Sequence, residues 1–298
     1  MLRLSIASMA AASAIAFTQI ASAADLPPPA PVYAPPPPPV ISWTGWYGGV
    51  NAGYNWGDSA VSSTAVGTGG TSLPVTIGLA TFGTYNLDPN RNGFIGGGQV
   101  GFNWQFNNWV TGIEVDLQGL ANNGKANQPS VAQVPLFPEQ FVGIQSAQAQ
   151  VSWLGTLRGR IGALINPSSL IYVTGGLAYG GVKAGGAVAA QENDTIGAAF
   201  AYLPSVGGAI NSQIRAGWTL GGGWEWMFAP RWSVKAEYLY YDLGRVTFSM
   251  SPLVHSFLGM PGIVGAPVAS TRFNGNIVRA GLNYHFNWGM PAPIVAKY

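Results

Sequence analysis

The chain contains no cysteine and only two histidines. That excludes disulfides, thiolate zinc sites and thiol nucleophiles, and leaves little for a metal cluster. Charge is scarce too: Asp, Glu, Lys and Arg make up 8% of the 298 residues, where a soluble domain carries about a quarter. A formal net charge of +2 gives no electrostatic footprint for nucleic acid, which is excluded as a partner. Beyond the first 23 residues no continuous apolar run reaches the ~20 residues that a spanning helix needs; uncharged stretches such as 92–113 are broken by Gly, Asn and Gln. What remains is 48% hydrophobic residues, 12% aromatics and 42 glycines. Such a chain is too poor in charge for a soluble globule and too aromatic for a disordered or collagen-like one.

Residues 1–23 run from Arg3 through an uncharged stretch rich in Ala, Ile and Met to Ala21-Ser22-Ala23, the order of a cleaved secretory signal peptide. Residues 24–42 include LPPPAPVYAPPPPPV. Proline fixes φ and removes donors, so this segment reads as a polyproline II tether, a periplasmic arm long enough to stand off from a neighbouring layer such as the cell wall.

From residue 43 to residue 286 the pattern is alternation, the period of a strand whose two faces meet different solvents. Trp46, Val50, Ala52, Tyr54 and Trp56 oppose Tyr47, Asn51 and Asn55; Phe94, Val100, Phe102, Trp104 and Phe106 oppose Gln99, Asn103 and Gln105; Trp109, Ile113, Val115 and Leu117 oppose Glu114, Asp116 and Gln118. A fourth segment sets Val151, Trp153, Leu157 and Ile161 against Ser152, Thr156, Arg158 and Arg160, with Leu154 as a local exception. Four more follow around 171–179, 214–228, 232–240 and 278–286. Eight is the even count of a single-chain outer-membrane barrel, and the connections fit it: short ones at 107–108, 166–169 and 229–231 alternate with roughly 26–33 residues elsewhere. The predicted fold is all-β, an eight-stranded antiparallel transmembrane β-barrel with short periplasmic turns and long extracellular loops. Hydrocarbon offers the backbone no partners, so the sheet must close. Aromatics near strand ends, among them Trp43, Trp46, Trp104, Trp109, Trp224, Trp226, Trp232, Tyr284 and Phe286, suit the two interfacial girdles.

The charged residues fall on the face opposite the aromatics. Glu114, Asp116, Arg158, Arg160, Arg215, Glu225, Lys235, Glu237 and Arg279 are assigned to the lumen, five positive and four negative. Neighbouring strands make Glu114 and Asp116 available to Arg158 and Arg160, and Glu237 to Arg279. Eight strands enclose just enough room for their own side chains, so this set reads as a packed polar core, and a narrow porin left open by inward glycines such as Gly49, Gly53, Gly97 and Gly101 is the alternative. Arginine placed at Leu157 is expected to be costly, and at adjacent Thr156 much less so. No catalytic, cofactor or metal site is expected. Ser233, His285 and Glu237 contain the residue types of a hydrolytic triad, but strand position does not bring them together. The G-x-G-x-x-G match at 96–101 opens no helix, so it holds no phosphate. The loops 59–91 and 185–212, rich in Gly, Ala, Ser and Thr, read as mobile; a surface adhesin or ligand-binding role for them is a further alternative.

Several stretches in order, 43–57 (WTGWYGGVNAGYNWG), 93–116 (GFIGGGQVGFNWQFNNWVTGIEVD), 153–162 (WLGTLRGRIG), 170–182 (LIYVTGGLAYGGV), 222–244 (GGWEWMFAPRWSVKAEYLYYDLG) and 279–286 (RAGLNYHF), resemble the alphaproteobacterial porin-family surface antigens, OmpA-like eight-stranded outer-membrane barrels known as outer-membrane immunogenic proteins. The resemblance implies an outer-membrane location among lipid, exposed loops, a role in envelope integrity, and no catalytic residues. Such barrels end on an aromatic residue read by the barrel-assembly machinery. Here Phe286 is followed by a tail, 287–298, so either Phe286 or Tyr298 fills that role.

Overall fold

The structure, a computed structural model, describes residues 41–286 apart from residue 59 and residues 68–72, 137–138, 195–203 and 258–259. The leader, most of the proline-rich arm and the tail lie outside the described residues. Twelve strands and one helix are described: β1 (Gly45–Trp56), β2 (Val61–Gly67), α1 (Leu73–Gly83), β3 (Tyr85–Leu87), β4 (Gly93–Phe106), β5 (Trp109–Ala121), β6 (Lys125–Gln133), β7 (Glu139–Asn166), β8 (Ser169–Asp194), β9 (Ser205–Ala229), β10 (Trp232–Ser249), β11 (Leu253–Phe257) and β12 (Met260–Phe286).

Eight of the strands form a closed antiparallel ring in the order β1, β4, β5, β7, β8, β9, β10, β12, with β12 pairing back onto β1 from Trp46↔Phe286 to Trp56↔Asn276. These are the eight alternating segments of the sequence. The residues on their apolar face, among them Val50, Phe94, Leu117, Leu157, Val173, Leu220 and Val278, are exposed on the outside, while Asn51, Gln99, Glu114, Arg158, Lys235 and Arg279 are buried inside. Tight connections close one end of the ring, at Asn107-Asn108, Pro167-Ser168 and Pro230-Arg231; Asn107 sits at φ 53°, the left-handed conformation that a two-residue hairpin favours. We call this the turn end and the opposite one the loop end.

Three expectations change. Trp43 does not belong to an outward girdle. It precedes β1, where strand parity no longer applies, and crosses the mouth of the barrel fully buried, its Nε1 donating to the Pro167 carbonyl at 3.0 Å. Val151 is also buried, because Ser152 is an extra residue in β7: the pairing with β8 steps from Val151↔Val182 to Trp153↔Gly181. A bulge of one residue exchanges the two faces. Below it Leu154, Thr156, Arg158 and Arg160 all point inward, Leu154 as the apolar member of that face, and above it Ala149, Ala147 and Gln145 do.

The third concerns the loops. The 185–212 segment continues β8 and β9 as a paired extension, from Ala184↔Asn211 to Ala190↔Ser205. The 59–91 segment contains β2, which adds to β12, then α1, then β3 against β2. The helix places Val75, Leu79 and Phe82 on one buried side, at the spacing of a helix face. It packs among Phe141, Val134, Leu253 and Tyr85 in an apolar layer inside the loop end. Its last carbonyls are taken up by side chains, Gln145 Nε2 donating to Phe82 O at 2.7 Å and Ser63 Oγ to Gly83 O at 2.9 Å. Burying Leu79 and Phe82 contributes about 1.5–3 kcal/mol each, which offsets the weak helix propensity of LPVTIGLATFG.

Candidate functional site

The barrel interior is layered. At the turn end Trp43, Val110, Leu170, Tyr172 and Met227 form a small apolar layer. At the loop end α1 and the strand residues Ile95, Leu120, Leu154, Leu239, Phe273 and Ile277 belong to a larger one. Between them lies an ionic layer built from Glu114 and Asp116 on β5, Arg158 and Arg160 on β7, Glu225 on β9, Lys235 and Glu237 on β10, and Arg279 on β12, every one at most 4% exposed.

Some contacts are those that adjacent strands offer. Glu114 stands opposite Arg158, and Glu237 opposite Arg279; the first pair is joined directly, the second by Arg279 Nε donating to Glu237 Oε2 at 2.7 Å. Others cross the barrel. Lys235 Nζ donates to both oxygens of Glu114 at 2.8 Å, Arg158 Nη1 to Glu237 Oε1 at 3.0 Å, and Arg279 Nη2 to Asp116 Oδ2 at 2.9 Å. Arg160 Nη2 donates to Glu225 Oε2 at 2.7 Å, and its guanidinium carbon lies 4.3 Å from the Tyr172 ring centre. Neutral groups complete the acceptors: Tyr47 Oη donates to Glu114 Oε2 at 2.7 Å and Tyr172 Oη to Glu237 Oε1 at 3.0 Å. Asn283 Nδ2 donates to Glu225 Oε1 at 2.8 Å and Gln99 Nε2 to Asn283 Oδ1 at 2.6 Å.

Arg215 is not among them. Above Asp242↔Trp218 the pairing of β9 with β10 ends, and β10 is irregular between Asp242 and Arg245. Arg215 bridges that opening, donating to the carbonyls of Arg245 at 3.1 Å and Leu243 at 3.5 Å. The backbone acceptors left without a strand partner hold it there. Its departure leaves four carboxylates and four cations in the ionic layer, a formally neutral set. We expect Glu237 and Arg279 to show a coupling energy of about 0.5–3 kcal/mol in a double-mutant cycle of unfolding in detergent, as groups sharing one network do; additive single effects would remove that pair from the network.

Two of the inward glycines have no room for a side chain: a Cβ on Gly101 would lie 2.4 Å from the Tyr47 ring, and one on Gly53 would lie 2.7 Å from Arg279 Cβ on the adjacent strand. Ser233 and His285 do meet, Oγ to Nε2 at 2.9 Å, yet the acid beside them is Glu225, to which Ser233 Oγ donates at 2.6 Å. One ring nitrogen, His285 Nε2, faces both Ser233 Oγ and, at 3.7 Å, Glu225 Oε1, where a hydrolytic triad needs the acid on the imidazole's other nitrogen. All three are at most 4% exposed.

A closed ring that turns its apolar side chains outward and folds its ions away defines an integral outer-membrane β-barrel protein. The chain belongs to the outer membrane protein beta-barrel domain family, whose pattern matches residues 7–286. It is 34% identical over 284 residues to the 31 kDa outer-membrane immunogenic protein of Brucella melitensis, covering 95% of this chain and 97% of the relative. It is 30% identical over 185 residues to the 22 kDa outer membrane protein of Rhizobium leguminosarum bv. viciae, covering 57% of this chain and 68% of that one. Among solved structures, the outer membrane protein OprG of Pseudomonas aeruginosa is 12% identical, with a TM-score of 0.37 over 83% of this chain and 98% of its own.

Proposed function

We propose that this barrel is a structural element of the envelope that neither conducts nor catalyses. In this reading the leader of residues 1–23 is removed, and the barrel-assembly machinery inserts residues 43–286. The termini face the periplasm, and the proline-rich arm reaches toward the cell wall while the loop end is presented outside. One observation carries it: among the described residues three successive layers of buried side chains cross the interior, the Trp43 layer, the neutral ionic layer and the apolar layer that holds α1. A porin needs a continuous wet path, and a hydrolase needs room for a substrate beside its nucleophile; the packing around Ser233 argues against the second as that around Tyr47 and Gly101 argues against the first. Planar-bilayer recording is the test. Purified protein that shows the heat-dependent gel shift of a closed barrel should give no steady unitary conductance. Reproducible single-channel steps from the same preparation would overturn the proposal.

A further inference from the structure

Outward residues of β10 from Trp232 to Tyr240, and of β12 from Phe286 to Asn274, carry no charge. The apolar band closes at the rings of Trp218 and Tyr240, whose centres are 5.3 Å apart, with Asn274 Nδ2 donating to Tyr240 Oη at 3.3 Å. Amphipathic groups of this kind mark the depth at which acyl chains give way to headgroups. Immediately beyond them two arginines face each other. Arg272 and Arg245 are direct cross-strand partners and both are exposed, the Arg272 side chain by 57%. Arg215, half-buried on β9, is instead spent on the backbone carbonyls of Arg245 and Leu243. The irregularity of β10, with Gly244 at φ +81°, produces this grouping, because the change of parity between Asp242 and Arg245 turns Arg245 to the outside.

Asp242 pairs with Arg272 and offsets one charge of the two. Like charges facing each other across a strand pair are destabilising, so the patch retains a surplus that an anion would relieve. We propose that it binds the phosphate groups of a multiply phosphorylated glycolipid in the leaflet at the loop end. Guanidinium forks match phosphate oxygens in pairs, and the apolar band below supplies a surface for the lipid's chains. The inference rests on the membrane reading above, although binding in detergent is independent of which way the barrel faces.

The test uses the full barrel in detergent micelles, confirmed closed by its gel shift, with retention of bis-phosphorylated lipid A compared with that of dephosphorylated lipid A by native mass spectrometry. Phosphorylated lipid should be retained about tenfold better, the worth of one or two charge-assisted hydrogen bonds. R245Q should lose most of that preference, R245K should keep it, and inorganic phosphate at the same concentration should not compete. Equal retention of the two lipids, a preference unchanged in R245Q and in R245Q/R272Q, or displacement by inorganic phosphate would each overturn the proposal. Conductance plays no part in this readout, so the sealed-lumen reading and the lipid site stand or fall separately.

Discussion

Replacing Glu114 by glutamine should destabilise the barrel by about 3–5 kcal/mol, the cost of removing one member of a fully buried ionic set. Glu114 is the meeting point of the layer. Lys235 spends its ammonium on both its oxygens, Arg158 joins it from the facing strand, and Tyr47 donates to it as well. An amide of the same size keeps the volume and one acceptor oxygen, but sets an NH2 donor against the donors that held the other oxygen and turns a neutral set into one with an excess cation held out of water. A surface ion pair contributes only about 0–1 kcal/mol, so the size of the loss distinguishes a dry interior from a wet one. The measurement is urea unfolding in detergent, followed by the gel shift. E114Q/K235M restores neutrality with an apolar side chain at the second position and should recover a large part of the loss, since exchanging a buried pair for apolar groups is often close to neutral. A loss below about 1 kcal/mol for E114Q would mean that water screens the layer, and the filled-lumen picture would fall with it.

The barrel was legible because the two solvents write on every strand. Lipid outside and a packed interior impose a period of two on all eight ring strands, and the closure of β12 onto β1 follows from the need to leave no backbone edge. The pairs Glu114 with Arg158 and Glu237 with Arg279 were legible for the same reason, since each sits on neighbouring strands. Contacts across the lumen were not. Arg158 reaches Glu237, and Lys235 reaches Glu114, between strands that are never paired, and only the girth and stagger of the ring bring them together. Arg215 has the right parity and the wrong height, and no signal in its own strand marks the place where β10 peels away. The helix was hidden for a local reason: LPVTIGLATFG carries a proline, two glycines and several β-branched residues, and its helicity comes from packing of Leu79 and Phe82 in the apolar layer. One clue to Trp43 was available, since it stands ahead of the first alternating pair.

Arginine at Leu157 should cost about 2–4 kcal/mol, the penalty of a cation on the lipid face near the bilayer midplane. Leu157 is 44% exposed on the outside of β7, flanked by Val115 and Leu177 on the adjacent strands. A long cation there must either enter hydrocarbon or thin the bilayer around it. The neighbouring Thr156 is not the tolerant control that a wet lumen would make it. It is fully buried, its hydroxyl donating to Asp116 Oδ2 at 2.9 Å and accepting from Arg158 Nε at 2.9 Å, so an arginine there overfills a closed layer and adds an unmatched charge. Depth supplies the better contrast. Ile165 is 64% exposed at the end of β7, an unpaired residue two positions before the turn at Pro167-Ser168; arginine there lies at the interface, where the cost falls to about 0–1 kcal/mol. Unfolding of L157R and I165R in phospholipid vesicles measures both. A clear difference in favour of I165R places Leu157 against acyl chains. Equal penalties would show that the apolar exterior of this ring does not meet a hydrocarbon core, and the assignment of inside and outside would be lost.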